Sequence, residues 1–200
     1  MSTPPAKRLS GSEPLASPAL TSADSSVADF WSWAFSDLMH SLVRAPLAEW
    51  IVAKLLRLPL DNARDAWAEH DLETPNHKTI EVKSSAYLQY WHRGGDKRSR
   101  IAFGNLRSRL YDPAAKEFVD AETYNADLYV FCVHTERDEA RWDALNLDQW
   151  RFYIIMRQQF EASQHTAITL KGVEALSRAN NACELTAAEF QQRALELIGD

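Results

Sequence analysis

Glu81 and Lys83, a carboxylate and an ammonium two residues apart, stand in the stretch Thr79-Ile80-Glu81-Val82-Lys83-Ser84-Ser85. Its alternation predicts a strand with Ile80 and Val82 on one face and Thr79, Glu81 and Lys83 on the other, the two charges about 7 Å apart along it. Upstream, Glu69-His70-Asp71-Leu72-Glu73 runs into Thr74-Pro75-Asn76-His77-Lys78. Pro fixes its own backbone and Asn tolerates left-handed geometry, so Pro75-Asn76 predicts a turn. A hairpin centred on Asn76 sets Asp71 opposite Glu81 and Glu69 opposite Lys83, all on one face. Directly opposed Cβ atoms are roughly 5 Å apart, close enough for two carboxylates to share a divalent metal ion. Without the ion the pair repels.

A third acid belongs to a helix. In residues 44–57, Pro46 suits a first helical turn and the apolar residues recur at helical spacing, predicting a helix over 46–57. At about 100° per residue, Trp50, Lys54 and Arg57 take the solvent side, while Glu49 falls between Ala53 and Leu56 on the apolar arc. Burying a carboxylate without a partner costs several kcal/mol or more. A metal held by the hairpin acids would offset that cost.

A helix with Glu49, a strand with Asp71 and a strand with Glu81-Val82-Lys83 resemble, in that order, the PD-(D/E)XK or restriction-endonuclease-like nuclease superfamily. Ser-Arg-Ile-Ala-Phe at 99–103 and Leu-Asp-Gln-Trp-Arg-Phe-Tyr at 147–153 add to a likeness to small bacterial members that spans most of residues 44–155. The Pro that precedes the first Asp of the family motif is absent, and Glu69 and Glu73 are alternatives to Asp71. The resemblance implies an α/β/α core whose central mixed β-sheet is flanked by helices. It also implies Mg²⁺- or Mn²⁺-dependent hydrolysis of DNA phosphodiesters. Asp71, Glu81 and the Val82 carbonyl would hold the metal, Glu49 would complete its site directly or through water, and Lys83 would orient the attacking water. A catalytically inactive nucleic-acid-binding or assembly subunit of the same fold is the main rival. A nucleotide or sugar-phosphate hydrolase is another, but has no need of the basic segment that follows.

That segment, His92-Arg93-Gly94-Gly95-Asp96-Lys97-Arg98-Ser99-Arg100, makes a positive patch around a flexible Gly-Gly, with Arg107 and Arg109 beyond. Arg93, Lys97, Arg98 and Arg100 are therefore candidate phosphate contacts. Tyr87 and Gln89, just after the Lys, are candidates to orient a phosphate or the attacking water, with plain packing as the alternative.

Composition bounds the rest. Net charge is −6 over 200 residues, which disfavours a binder that relies on bulk positive charge. Cys132 and Cys183 show neither metal-ligand spacing nor a disulfide framework. Residues 1–26, rich in Ser, Pro and Ala, read as a disordered tail, and no signal or membrane-spanning stretch stands out. A soluble cytoplasmic protein is expected, with DNA as partner and a homodimer left open. A helix over 27–43, capped by Ser26 or Asp29, carries Phe30, Trp31, Trp33 and Phe35, which read as core or dimer contacts rather than a base-stacking platform. Residues 127–134 and 150–156 predict central strands, with His134 a structural histidine at the end of the first. Residues 166–170 predict a short strand and 171–179 a helix. Thr186-Ala187-Ala188-Glu189 is a capping box that opens a last helix, whose buried stripe is Phe190, Ala194, Leu197 and Ile198. Residues 27–160 would then be the nuclease-like domain, with 161–200 packed on it.

Overall fold

The structure, a computed structural model, describes residues 6–15, 25–66, 68–112 and 115–199. The chain is mixed α/β. Its central sheet has the order β1-β2-β6-β7, where β1 is Leu72–Glu73, β2 Thr79–Ala86, β6 Leu128–His134 and β7 Trp150–Met156. β2 and β6 are parallel, and the other pairs antiparallel. β6 is buried at every position, which is why its sequence is apolar on both faces. On one face α2 (Ser41–Leu55) and α5 (Ala187–Ile198) cover Ile80, Val82, Val130, Phe152 and Ile154, with Phe190 stacked on Phe152. On the other, Phe160 of α3 (Arg157–Ser163) and Val173 of α4 (Leu170–Arg178) pack on Tyr129, Phe131 and Ile155. The small ladder of β3 (Ala102–Phe103) with β8 (Ile168–Thr169) joins this second layer. The exposed hairpin of β4 (Ser108–Asp112) and β5 (Glu117–Thr123) lies in the crossover from β2 to β6.

The helix expected over 27–43 is two elements: α1 (Val27–Phe35), capped by Ser26, and α2, which His40 caps at Ser41. Pro46 therefore sits inside α2, not in its first turn. The carbonyl its missing amide would have engaged is that of Leu42, an exposed residue that water can reach. Of the two roles expected for the α1 aromatics, core and dimer contact, the first is corrected. α1 has no buried residue, and Trp33 is 84% exposed.

The predicted tail needs correction over residues 6–15, while residues 1–5 and 16–24 lie outside the described residues. Lys7 bridges Asn62, Ala63 donates to the Ala6 carbonyl, and Arg8 bonds the Leu60 carbonyl. Farther on, Ala28 donates to the Gly11 carbonyl and Val27 to that of Glu13. A ring edge of Trp31 lies where a Cβ on Gly11 would meet it at 3.1 Å, and Gly11 has φ +96°, so glycine suits that position twice over.

Candidate functional site

The predicted turn sets the register that was expected: Leu72 pairs with Ile80 and Glu73 with Thr79. Carried one step further, this register puts Asp71 opposite Glu81, and the Asp71 amide donates to the Ile80 carbonyl at 3.2 Å. The ladder stops there, so Glu69 is not paired with Lys83 and is exposed. Glu73 is engaged elsewhere, with His77 at 2.5 Å. Of the three acids near the turn, Asp71 is the one that meets Glu81.

The acids converge on an edge, not on one face. Asp71 turns its carboxylate into the plane of the sheet, where Oδ2 accepts from the Val82 amide at 2.7 Å. Because the N–H and C=O of a strand residue point to the same side, the Val82 carbonyl lies along that edge too, past the end of β1. Glu81 and Lys83 project from the face opposite Val82, where Lys83 Nζ donates to Glu81 Oε1 at 2.6 Å. Glu49 comes from α2 on the other side, buried at 6% exposure between Ala53 and Leu56 as its helical phase requires.

Sequence reasoning missed the partner of Glu49. Arg64 donates through Nε to Glu49 Oε2 at 2.5 Å and through Nη2 to Oε1 at 2.6 Å, and Nη2 is 4.0 Å from Asp71 Oδ1. No periodicity marks this arginine, which belongs to no helix or strand. The one available signal was the charge rule itself, since a buried carboxylate calls for a cation.

Burial pushes the Glu49, Asp71 and Glu81 carboxyls above their usual range. The Asp71 charge adds to the rise at Glu49 and Glu81, while Arg64 and Lys83 oppose it at Glu49. The Val82 amide, Lys83 and Arg64 oppose it at Asp71, and Lys83 does so at Glu81. Three carboxylates and a peptide carbonyl are hard oxygen donors, the chemistry that suits Mg²⁺ or Mn²⁺. Among the described residues, however, no three His, Cys, Asp or Glu side chains are arranged to hold a metal ion as they stand. Each acid points instead at Arg64, an amide or Lys83. The donor set matches such an ion in atom type and charge, not in its present arrangement.

A cleft of about 1120 Å³ opens onto Glu49, Arg64 and Asp71, walled by Lys7, Arg8, Trp31, Trp50 and His70. Glu81 and Lys83 are not among its lining residues.

No protein-family model, curated protein or solved structure matches this chain.

The candidate nucleic-acid contacts divide. Gln89 is buried, its Oε1 accepting from Arg44 and its Nε2 donating to the Ala86 carbonyl, so it bridges two elements and presents nothing to a groove. Tyr87 lies under the Arg137 guanidinium at 3.8 Å. Arg93 pairs with Asp37, and Arg98 bonds the carbonyls of Arg137, Gly95 and Lys97. Lys97 and Arg100 are exposed. His134 is fully buried, with Nε2 on the Asp143 carbonyl and Trp150 edge-on, and burial lowers its pKa. No helix among the described residues is long and apolar enough to cross a membrane.

Proposed function

We propose that this chain is a Mg²⁺- or Mn²⁺-dependent deoxyribonuclease built on a restriction-endonuclease-like core. The observation that carries the reading is that Asp71, set opposite Glu81 by the hairpin register, shares Arg64 with Glu49, while Lys83 is bonded to Glu81. Glu49, Asp71, Glu81 and the Val82 carbonyl would hold the metal, which supplies an activated water and neutralises phosphate charge. Lys83 would place a positive charge where negative charge develops on the attacked phosphate. The Val82 amide fixes the Asp71 carboxylate in the plane of the sheet. Burial of Glu49 on the inner face of α2 limits its motion.

The test is incubation with linear, circular, single-stranded and branched DNA in Mg²⁺ or Mn²⁺, with a chelator control. Chelator-sensitive cleavage of any of them is the expected result. DNA binding with no cleavage in either metal would favour the second reading, a nuclease-fold binding or assembly subunit without activity. Two observations favour that second reading: the closed Arg64–Glu49 pair and the exposed aromatic side chains of α1.

The loop after β2 should contribute backbone contacts through the cations it leaves exposed. Neutralising Lys97 and Arg100 is expected to weaken binding to all sequences alike, lowering the log–log salt slope by about 0.9 for each duplex phosphate that is no longer neutralised. Arg98→Ala should instead loosen the loop, since its guanidinium holds three carbonyls. Equilibrium binding over a salt series in Ca²⁺ checks this, and an unaltered slope in the Lys97/Arg100 double variant would remove the loop from the interface.

A further inference from the structure

We propose that Trp91, with Tyr90 and His40 beside it, is a stacking platform for an unpaired base, so that the chain takes single-stranded nucleic acid in preference to duplex. The inference rests on the nucleic-acid part of the proposed function, needs no metal ion, and holds whether the chain cleaves or only binds.

Trp91 and Tyr90 stand on a single 3₁₀ turn, Tyr90–His92, and are 58% and 40% exposed, although large rings gain most from burial. Tyr90 is covered on one side by the His40 ring, stacked with centroids 4.3 Å apart. Trp91 meets Tyr90 and His92 only edge to face, at 80° and 72°, so no ring among the described residues lies flat on the indole. The mount is held on every side. His40 Nδ1 accepts from the Leu42 amide at the start of α2. Gln89, just before the turn, is buried on Arg44 and the Ala86 carbonyl, and Arg93, just after it, pairs with Asp37. A platform fixed in this way loses little freedom when a base settles on it.

Charge selects the occupant. The Gly95 amide donates to the His92 carbonyl and Arg98 to the Gly95 carbonyl, so the cations of the loop fold back onto the turn that carries the rings. Asp37, Glu136 and Asp138 are already paired with Arg93 and Arg141, and Glu139 accepts from the Gly94 amide. Lys97, Arg98, Arg100 and Arg137 meet no carboxylate among the described residues, and the Arg137 guanidinium lies on the Tyr87 ring. Exposed rings are thus interleaved with uncompensated cations on a protein of net charge −6. That combination suits a single strand, whose phosphates follow the cations while each base offers a ring face. In a duplex those faces are already stacked on neighbouring pairs, and Trp91 gains nothing from them.

The experiment measures binding of the full-length wild type, Trp91→Ala, Trp91→Phe and the Lys97→Ala/Arg100→Ala double variant by fluorescence anisotropy, in chelator, over a salt series. One labelled sequence is offered as single-stranded DNA, single-stranded RNA and duplex DNA. Wild type should bind both single strands more tightly than the duplex. Trp91→Ala should bind both about five- to a hundredfold more weakly, with duplex affinity and the salt slope unaltered, and Trp91→Phe should recover most of the loss. The double variant should instead lower the slope by about 0.7 for each single-strand phosphate released. If Trp91→Ala loses as much on the duplex, or loses nothing on the single strands, the platform is overturned while the nuclease site stands. If the substitution changes the sedimentation of the protein alone and leaves strand affinity unaltered, the ring is a contact between copies and the proposal falls. Failure of wild type to bind any of the three nucleic acids overturns the nucleic-acid part of the proposed function, and the platform with it.

Discussion

Lys83→Ala is expected to cleave DNA about 10²- to 10³-fold more slowly than wild type, the usual loss when one preorganised charge is removed from a developing oxyanion. The expectation rests on where the ammonium is held. Its Nζ donates to Glu81 Oε1 at 2.6 Å, and the two side chains are only 20% and 19% exposed, so neither charge is well screened by water. A fully exposed strand lysine is lost at little cost in stability. The partial burial corrects this, because the substitution leaves Glu81 without its cation. Metal-free Lys83→Ala should therefore melt lower than wild type, and Mn²⁺ should restore much of the difference by supplying the missing charge. Lys83→Met keeps the apolar stem and separates packing from charge. Single-turnover cleavage of the wild-type substrate, with melting curves in chelator and in Mn²⁺, gives all the comparisons. A wild-type rate in either variant would remove Lys83 from the chemistry.

What could be read from the residues was local or periodic. The Pro75-Asn76 turn and the alternation of β2 set the hairpin register, since a one-residue slip would turn Ile80 and Val82 out of the core. The helical phase that buries Glu49 was equally plain, because it needs only the neighbours at three and four residues. Arg64 was not legible, because only the tertiary fold brings the backbone after α2 over the Glu49 side chain. The surroundings of Gln89 were hidden for the same reason: its partner Arg44 is distant in sequence. The aromatic side chains of α1 misled in another way, as candidates for the core. Apolarity records which residues gain from burial, but Trp33 and Phe35 lie on a helix that nothing among the described residues buries. The break between α1 and α2 did leave a local trace in Asp37 and His40, whose side chains accept from the amides of Met39 and Leu42. The apolar periodicity on either side outweighed it.

Asp71→Asn should melt higher than wild type in chelator yet lose the stabilisation that Mn²⁺ gives, and pH should set the size of both effects. Burial raises the Glu49, Asp71 and Glu81 carboxyls above ordinary values of 4.5, 3.8 and 4.5. A carboxyl whose pKa is raised in the folded state adds stability that is fully present below its ordinary value and is lost as pH rises through the raised one. The metal-free site is thus most favourable in acid and costs stability toward neutral pH. Glu13, Glu73, Glu136 and Glu189 have lowered pKa values and act in the opposite sense, losing their contribution as pH falls. The whole-protein profile mixes the two, so the informative quantity is the difference between variant and wild type, in which the distant acids cancel. Asparagine can keep the bond from the Val82 amide through its own carbonyl, and it removes the charge that raises Glu49 and Glu81. In chelator the advantage of Asp71→Asn should be near zero around pH 4 and grow to about 1 kcal/mol by neutral pH, a common size for a single substitution. In saturating Mn²⁺ the order should reverse, since an ion at a hundred times its Kd adds about 2.7 kcal/mol to a protein that binds it only when folded. That gain should itself rise with pH, because the ligands must be deprotonated. Melting both proteins from pH 4 to 8, with and without Mn²⁺, decides the matter. A variant-minus-wild-type difference that stays flat with pH, together with a wild-type midpoint that ignores Mn²⁺, would mean that these acids are a self-neutralised charge cluster, their cations being Arg64 and Lys83.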